Sequence, residues 1–150
     1  MRVFTGIDEL RAAVGEHLGH SDWHPVTQRQ VDTFAEATGD HQWIHVDAER
    51  AAAGPFGATI AHGFLTLSLI PTLVAQVYRV DGMSMGVNYG ADRLRFPAPV
   101  PVGSRIRAGV TLTGVREARR GFQATSDIQI DLETGGPPAC VVAAISLLVP

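Results

Sequence analysis

The chain has 150 residues and a mass of 16.0 kDa, with 45% hydrophobic and 18% charged residues, a net charge of −3 and a pI near 6.0. That length suits one domain with no disulfide or metal staple, and the composition is too apolar for a disordered segment. The acidic balance offers no footprint for a phosphate backbone, so no nucleic-acid partner is expected. The single cysteine, Cys140, excludes an intramolecular disulfide and a multi-cysteine zinc site.

Acidic residues stand in the opening MRVFTGIDELRAAVGEHLGH where a secretory signal would need an apolar run. The longest apolar stretch, Phe64 to Val80, is broken by Thr66, Ser68, Pro71, Thr72, Gln76 and Arg79. It falls short of the ~20 predominantly apolar residues of a membrane span. A soluble, cytoplasmic protein is expected.

In chain order, Ile7, Leu10 and Val14 predict one face of a short helix closed by Gly15. Ser21–Val26 suits a short strand. Thr27 and Gln30 then form a capping-box pattern ahead of Val31, Phe34, Ala35 and Thr38 at helical spacing, and Gly39 ends that helix. Asp47 is an N-cap for a short helix over Ala48–Ala53. The segment GPFGATIAHG reads as loop. From Gly63 to Arg79 the pattern is a long helix, apolar on nearly every face, which should be wrapped on most sides. Pro71 predicts a kink or an earlier end.

Beyond Asp81-Gly82 the texture is β, with strands near Met83–Phe96, Ser104–Glu117, Phe122–Glu133 and Ala139–Leu148. Turns fall at Arg120-Gly121 and Gly135-Gly136. The last strand is apolar on both faces, as a central strand should be, and Cys140 within it reads as a buried, inert thiol. Helices followed by a run of antiparallel strands indicate an α+β fold, with the sheet wrapped around the Gly63–Arg79 helix.

Functional side chains are densest in Gly39-Asp40-His41-Gln42-Trp43-Ile44-His45-Val46-Asp47. A carboxylate is ionised at neutral pH and an imidazole near its ordinary ~6.5 can give or take a proton. Asp40 and His45 can therefore converge on one small molecule, most simply water, and act as a general acid–base pair; the alternative is a surface pair that merely caps the turn. His41 and His45 also imitate the two histidines of H-E-x-x-H. Gln42, however, replaces the glutamate base, and no metal is expected.

Ala61-His62-Gly63 opens the apolar helix, where free backbone N–H groups and the positive dipole end can stabilise a developing anion. The alternative reading has His62 capping the helix and Gly63 permitting tight packing. Trp43 and Phe56 either pack the loop or line an acyl pocket. Arg93, Arg95, Arg105 and Arg107 alternate along two strands as a solvated face, with one or two placed to meet nucleotide phosphates. There is no G-x-S-x-G elbow, dinucleotide fingerprint or Walker sequence.

Three motifs in order, ATGDHQWIHVD, TIAHGFLTLSL and RFPAPVPVGSRIR, resemble the MaoC-like (R)-specific enoyl-CoA hydratases. The resemblance is to their NodN-like branch, with its mycobacterial 3-hydroxyacyl-thioester dehydratases, and it runs from about Ser21 to the C-terminus. It implies a hotdog fold and a homodimer whose sheets join edge to edge, with active sites near the interface. It also implies reversible hydration of trans-2-enoyl thioesters to (R)-3-hydroxyacyl thioesters. The family's catalytic pair, an Asp and a His with four residues between them, maps to Asp40 and His45, and its backbone oxyanion donor maps to Gly63 with His62 beside it. Gln42-Trp43 replaces the commoner Asn-Pro between the pair, and Pro71 stands where some members carry a hydroxyl residue. No cofactor is implied; the CoA or acyl-carrier arm belongs to the substrate. A hotdog thioesterase and a non-catalytic acyl-binding subunit are the rival readings, and fold alone does not choose among them.

Overall fold

The computed structural model describes residues 1–150. Thr27 and Gln30 close the expected capping box at the start of helix α2 (Gln28–Thr38), and Gly39, at φ 77°, ends it in the left-handed conformation. Before it lie strand β1 (Arg2–Phe4), helix α1 (Ile7–Ala12), and strands β2 (His17–His20) and β3 (His24–Pro25). After it come the short helices α3 (Trp43–Val46) and α4 (Ala48–Ala52), then the long helix α5 (Gly63–Val77). The chain finishes with strands β4 (Tyr78–Val80), β5 (Met85–Arg95), β6 (Arg105–Ala118), β7 (Gly121–Leu132) and β8 (Cys140–Val149).

The long strands pair antiparallel in the order β2-β6-β7-β8-β5, with β3 also on β6. Register follows the alternation of the sequence. Ile106, Ala108 and Val110 face inward with Ile128, Ile130 and Val142, and onto them pack Leu65, Ile70, Leu73 and Val77 of α5. This is the α+β, hotdog arrangement that the resemblance implies. A tight β6–β7 hairpin turns at Arg119-Arg120. A Cβ at the following Gly121 would collide with the Leu148 carbonyl oxygen, so that residue must stay bare for β8 to lie close. β8 is internal, as its apolar faces predict, and burial pushes the Cys140 thiol up to about 11, the inert thiol expected.

Several sequence expectations are corrected. Of Ser21–Val26, only His24–Pro25 pairs as a strand, and the neighbouring Val26 is buried in the core instead. Helix α1 stops at Ala12 and leaves Val14 41% exposed, off the packed face. The central helix runs unbroken through Pro71 but ends at Val77; Tyr78–Val80 leaves it as β4 to pair in parallel with β1. That pairing seats Phe4 in a second cluster with Leu10, Ala13, Leu112 and Ala124. Nor is α5 wrapped on most sides within one chain. Phe64 is 63% exposed, and Ser68, Pro71 and Ala75 also face outward. Beside them an apolar groove of about 840 Å³ opens between α5 and the inner faces of β5 and β8. No helix is long and apolar enough to cross a membrane.

Leu73 is completely buried between α5 and the sheet. Leu73→Ala should cost roughly 2–5 kcal/mol through lost transfer energy and the cavity left behind, read as a lower urea midpoint at unchanged slope. A cost under about 1 kcal/mol would mean that the helix is not anchored there.

Candidate active site

The left-handed turn at Gly39 releases the chain from α2 so that Asp40 leads directly into α3. Asp40 holds its own turn, one carboxylate oxygen (Oδ1) accepting from the Gln42 N–H at 3.3 Å. One helical turn on, His45 is buried at 6% exposure, and its Nδ1 donates to the Ile60 carbonyl at 2.7 Å. A carbonyl can only accept, so the proton sits on Nδ1 and the neutral ring keeps its lone pair on Nε2. Burial holds the His45 pKa below the usual imidazole value, only partly opposed by the Ile60 bond; His62 lowers it further and Asp40 raises it.

The acceptor strand is fixed in turn. Ile60 N–H donates to the Ile44 carbonyl, and Ile60 bridges Pro101 in an isolated β-bridge. Gln28, in the first turn of α2, completes the frame. Its Nε2 donates to the His45 carbonyl at 2.8 Å, and its Oε1 accepts from the Thr59 hydroxyl at 2.6 Å.

His62, 3% exposed, immediately precedes α5. It does not cap the helix with its side chain. Instead its ring stacks on His45, with centroids 3.8 Å apart and planes at 24°, and the tilted Phe34 ring packs on it at 4.9 Å. His62 Nε2 donates to the Asp40 backbone carbonyl at 2.9 Å, which leaves Nδ1 buried without a partner. One side-chain atom each from Asp40, His45 and His62 lies within 4.8 Å of the others, a span that one water can bridge.

Gly63 is the first residue of α5, where backbone N–H groups lack intrahelical partners. A Cβ there would stand 2.9 Å from the Phe96 ring, so the glycine permits that ring to seal the helix start. The structure therefore supports the tight-packing role for Gly63 as well as leaving its N–H at the helix end.

The histidine spacing that imitates a zinc motif does not converge: His41 turns to Glu36, 3.8 Å away, and is not in the cluster. The two histidines that do meet are also unsuited to one ion. A metal must lie in the plane of each ligating ring, and nearly parallel stacked rings share no such point. Trp43 packs the loop, under Arg50 at 4.4 Å and against Gly54, while Phe56 is 44% exposed. Among the four arginines, Arg93 pairs with Asp127, Arg105 with Glu133, and Arg107 lies beside Asp131. Arg95 has no carboxylate partner and is exposed next to Phe96. Gln28, Phe34, the Ile60 carbonyl and Phe96 were not legible as site components. Only Gln28 had a sequence signal, its place beside the N-cap Thr27.

A model of the MaoC-like domain matches residues 9–132. The chain is 56% identical over 146 residues to 3-hydroxyacyl-thioester dehydratase Z of Mycobacterium tuberculosis, with 97% of each chain covered. It is 40% identical over 143 residues to Nodulation protein N of Rhizobium leguminosarum bv. viciae, covering 93% of this chain and 89% of that one. Among solved structures, an (R)-hydratase from A. caviae involved in PHA biosynthesis superposes with a TM-score of 0.74 at 28% identity, covering 91% of this chain and 96% of that one.

Nitrogen-15 NMR of the histidine rings should find His45 neutral at pH 7 with its proton on Nδ1. It should titrate below the ordinary ~6.5, gaining the Nε2 proton only as the pH falls through that lowered value. An Nε2-protonated ring at pH 7 would remove the free lone pair from the site.

Proposed function

Because the chain belongs to the MaoC-like family, we propose that it hydrates trans-2-enoyl thioesters to (R)-3-hydroxyacyl thioesters and runs the reverse dehydration. The observation that carries this reading is the approach of the Asp40 carboxylate to a His45 ring whose proton is committed to Ile60, beside the start of α5. An enoyl thioester is electrophilic at C3. Water held between Asp40 and His45 Nε2 gives a proton to this pair as its oxygen bonds to C3, and the C2=C3 electrons move onto the thioester oxygen. The Gly63 N–H at the helix end stabilises that enolate. The held proton then returns to C2 on the same face, restoring the carbonyl and the site. His62 touches no reacting atom in this scheme. Its stack on His45 and its bond to the Asp40 backbone keep the two catalytic groups in register.

The acyl group arrives on CoA or an acyl-carrier arm, and no resident cofactor takes part. Arg95, exposed and free of any carboxylate, supports a contact with nucleotide phosphates at the cleft. A homodimer is part of the same reading. Edge strand β5 leaves one side unpaired and exposes Met85 by 55%, Val87 by 42% and Tyr89 by 58%, beside the uncovered apolar face of α5. A second copy joined edge to edge along β5 satisfies the strand and covers the helix.

Hydration of crotonyl-CoA and of a medium-chain enoyl-CoA, followed by loss of the conjugated enoyl-thioester absorbance, should yield the (R)-alcohol. Asp40→Asn and His45→Gln should each lower the rate by ~10²–10⁴. Undiminished turnover in Asp40→Asn would overturn the assignment of that residue. Release of free thiol from a saturated acyl-CoA would instead identify a thioesterase. Sedimentation equilibrium should return twice the 16.0 kDa chain mass, and a stable monomer would overturn the edge-to-edge pairing.

A further inference from the structure

On the face of the sheet turned away from α5, two histidines converge in a way the strand period alone would forbid. His17 and His20 are three residues apart, an odd spacing that puts side chains on opposite faces of a regular strand. A register shift between His17 and Gly19, with Gly19 at φ 127°, adds one residue and returns His20 to the face of His17. The two then stand opposite Thr111 and Gly109, which lie on the same outward face of β6.

The rings are 4.8 Å apart at their centroids and inclined by 60°. Zinc binds an imidazole nitrogen at ~2.0–2.1 Å, so two rings sharing one ion at a tetrahedral angle have centroids about 5 Å apart. The inclined pair meets that condition, unlike the stacked pair in the active site. His17 engages the Thr111 hydroxyl through Nδ1 at 3.2 Å, an outer contact that orients the ring and leaves Nε2 for a ligand. Gly109 makes room: a Cβ there would lie 3.1 Å from His20 Nε2 and 3.6 Å from His17 Cε1. The surrounding cleft is about 460 Å³.

We propose that His17 and His20 form a surface site for a divalent transition-metal cation of the Zn²⁺ class, completed by water, that pins edge strand β2 over β6. Two imidazole nitrogens select borderline ions over Mg²⁺ or Ca²⁺, which want oxygen ligands. The charged neighbours on this face are nearly balanced. Arg93 is tied to Asp127, and Arg107 lies between Asp131 and the Trp23 ring, so no free cation excludes the metal.

Zn²⁺ titrated calorimetrically into the intact protein tests the site. One ion per chain is expected, with a raised Tm, in the wild type and equally in Asp40→Asn. Binding should vanish in His17→Gln/His20→Gln and weaken ~10–100-fold in Thr111→Val. Matching far-UV circular dichroism and zinc-free Tm values establish that the His17→Gln/His20→Gln and Thr111→Val proteins fold, and the enoyl-thioester hydration of these two should be unchanged. Absence of binding in the wild type, survival of binding in the double histidine variant, or its loss in Asp40→Asn would each overturn the proposal.

Discussion

The buried hydrogen bond from His45 to the Ile60 carbonyl is the contact on which the rest of the site turns. It joins a four-residue helix, too short to hold itself, to an extended segment that has its own anchor in the bridge to Pro101. The joint is reciprocal, because Ile60 N–H donates back to the turn that carries His45. A single backbone carbonyl thus sets where the imidazole lies, which nitrogen holds the proton and which faces the carboxylate. In a buried setting, leaving either partner unmade costs more than the bond itself contributes, so the arrangement resists alternatives.

The stacked His45 and His62 rings add an electrostatic condition. Charge on one ring disfavours charge on the other, and Phe34 offers the pair no compensating acceptor. His62 ties the Asp40 backbone to the same stack. Asp40 and His45 are therefore both tied to the His62 ring, one through its backbone carbonyl and the other by stacking. At the helix start, Phe96 packs over the bare Cα of Gly63, a close approach that any side chain there would block.

What the sequence made legible follows the range of each interaction. The capping box of α2, the left-handed stop at Gly39 and the alternation of β6 and β7 are local, and each appears where patterning put it. The Asp40–His45 spacing was legible because both residues sit on one turn. By contrast, Arg2–Phe4 and Tyr78–Val80 are three-residue strands with no periodicity of their own, and only their pairing with each other makes them strands. The role of His62 was equally hidden, since stacking and a bond to a backbone oxygen depend on how distant segments meet. Val14 fell on the expected apolar face, but α1 stops before the turn that would have carried it inward.

The strand order has a consequence for the nascent chain. β5 is made before β6, β7 and β8, yet its one partner within the chain is β8, the last strand of the sheet to be made. Throughout the synthesis of the hairpin between them, β5 exists with both edges open and with Met85, Val87 and Tyr89 uncovered. Completion of this sheet therefore waits on Cys140–Val149, and a ribosome that stalls within them leaves β5 without the strand that pairs it.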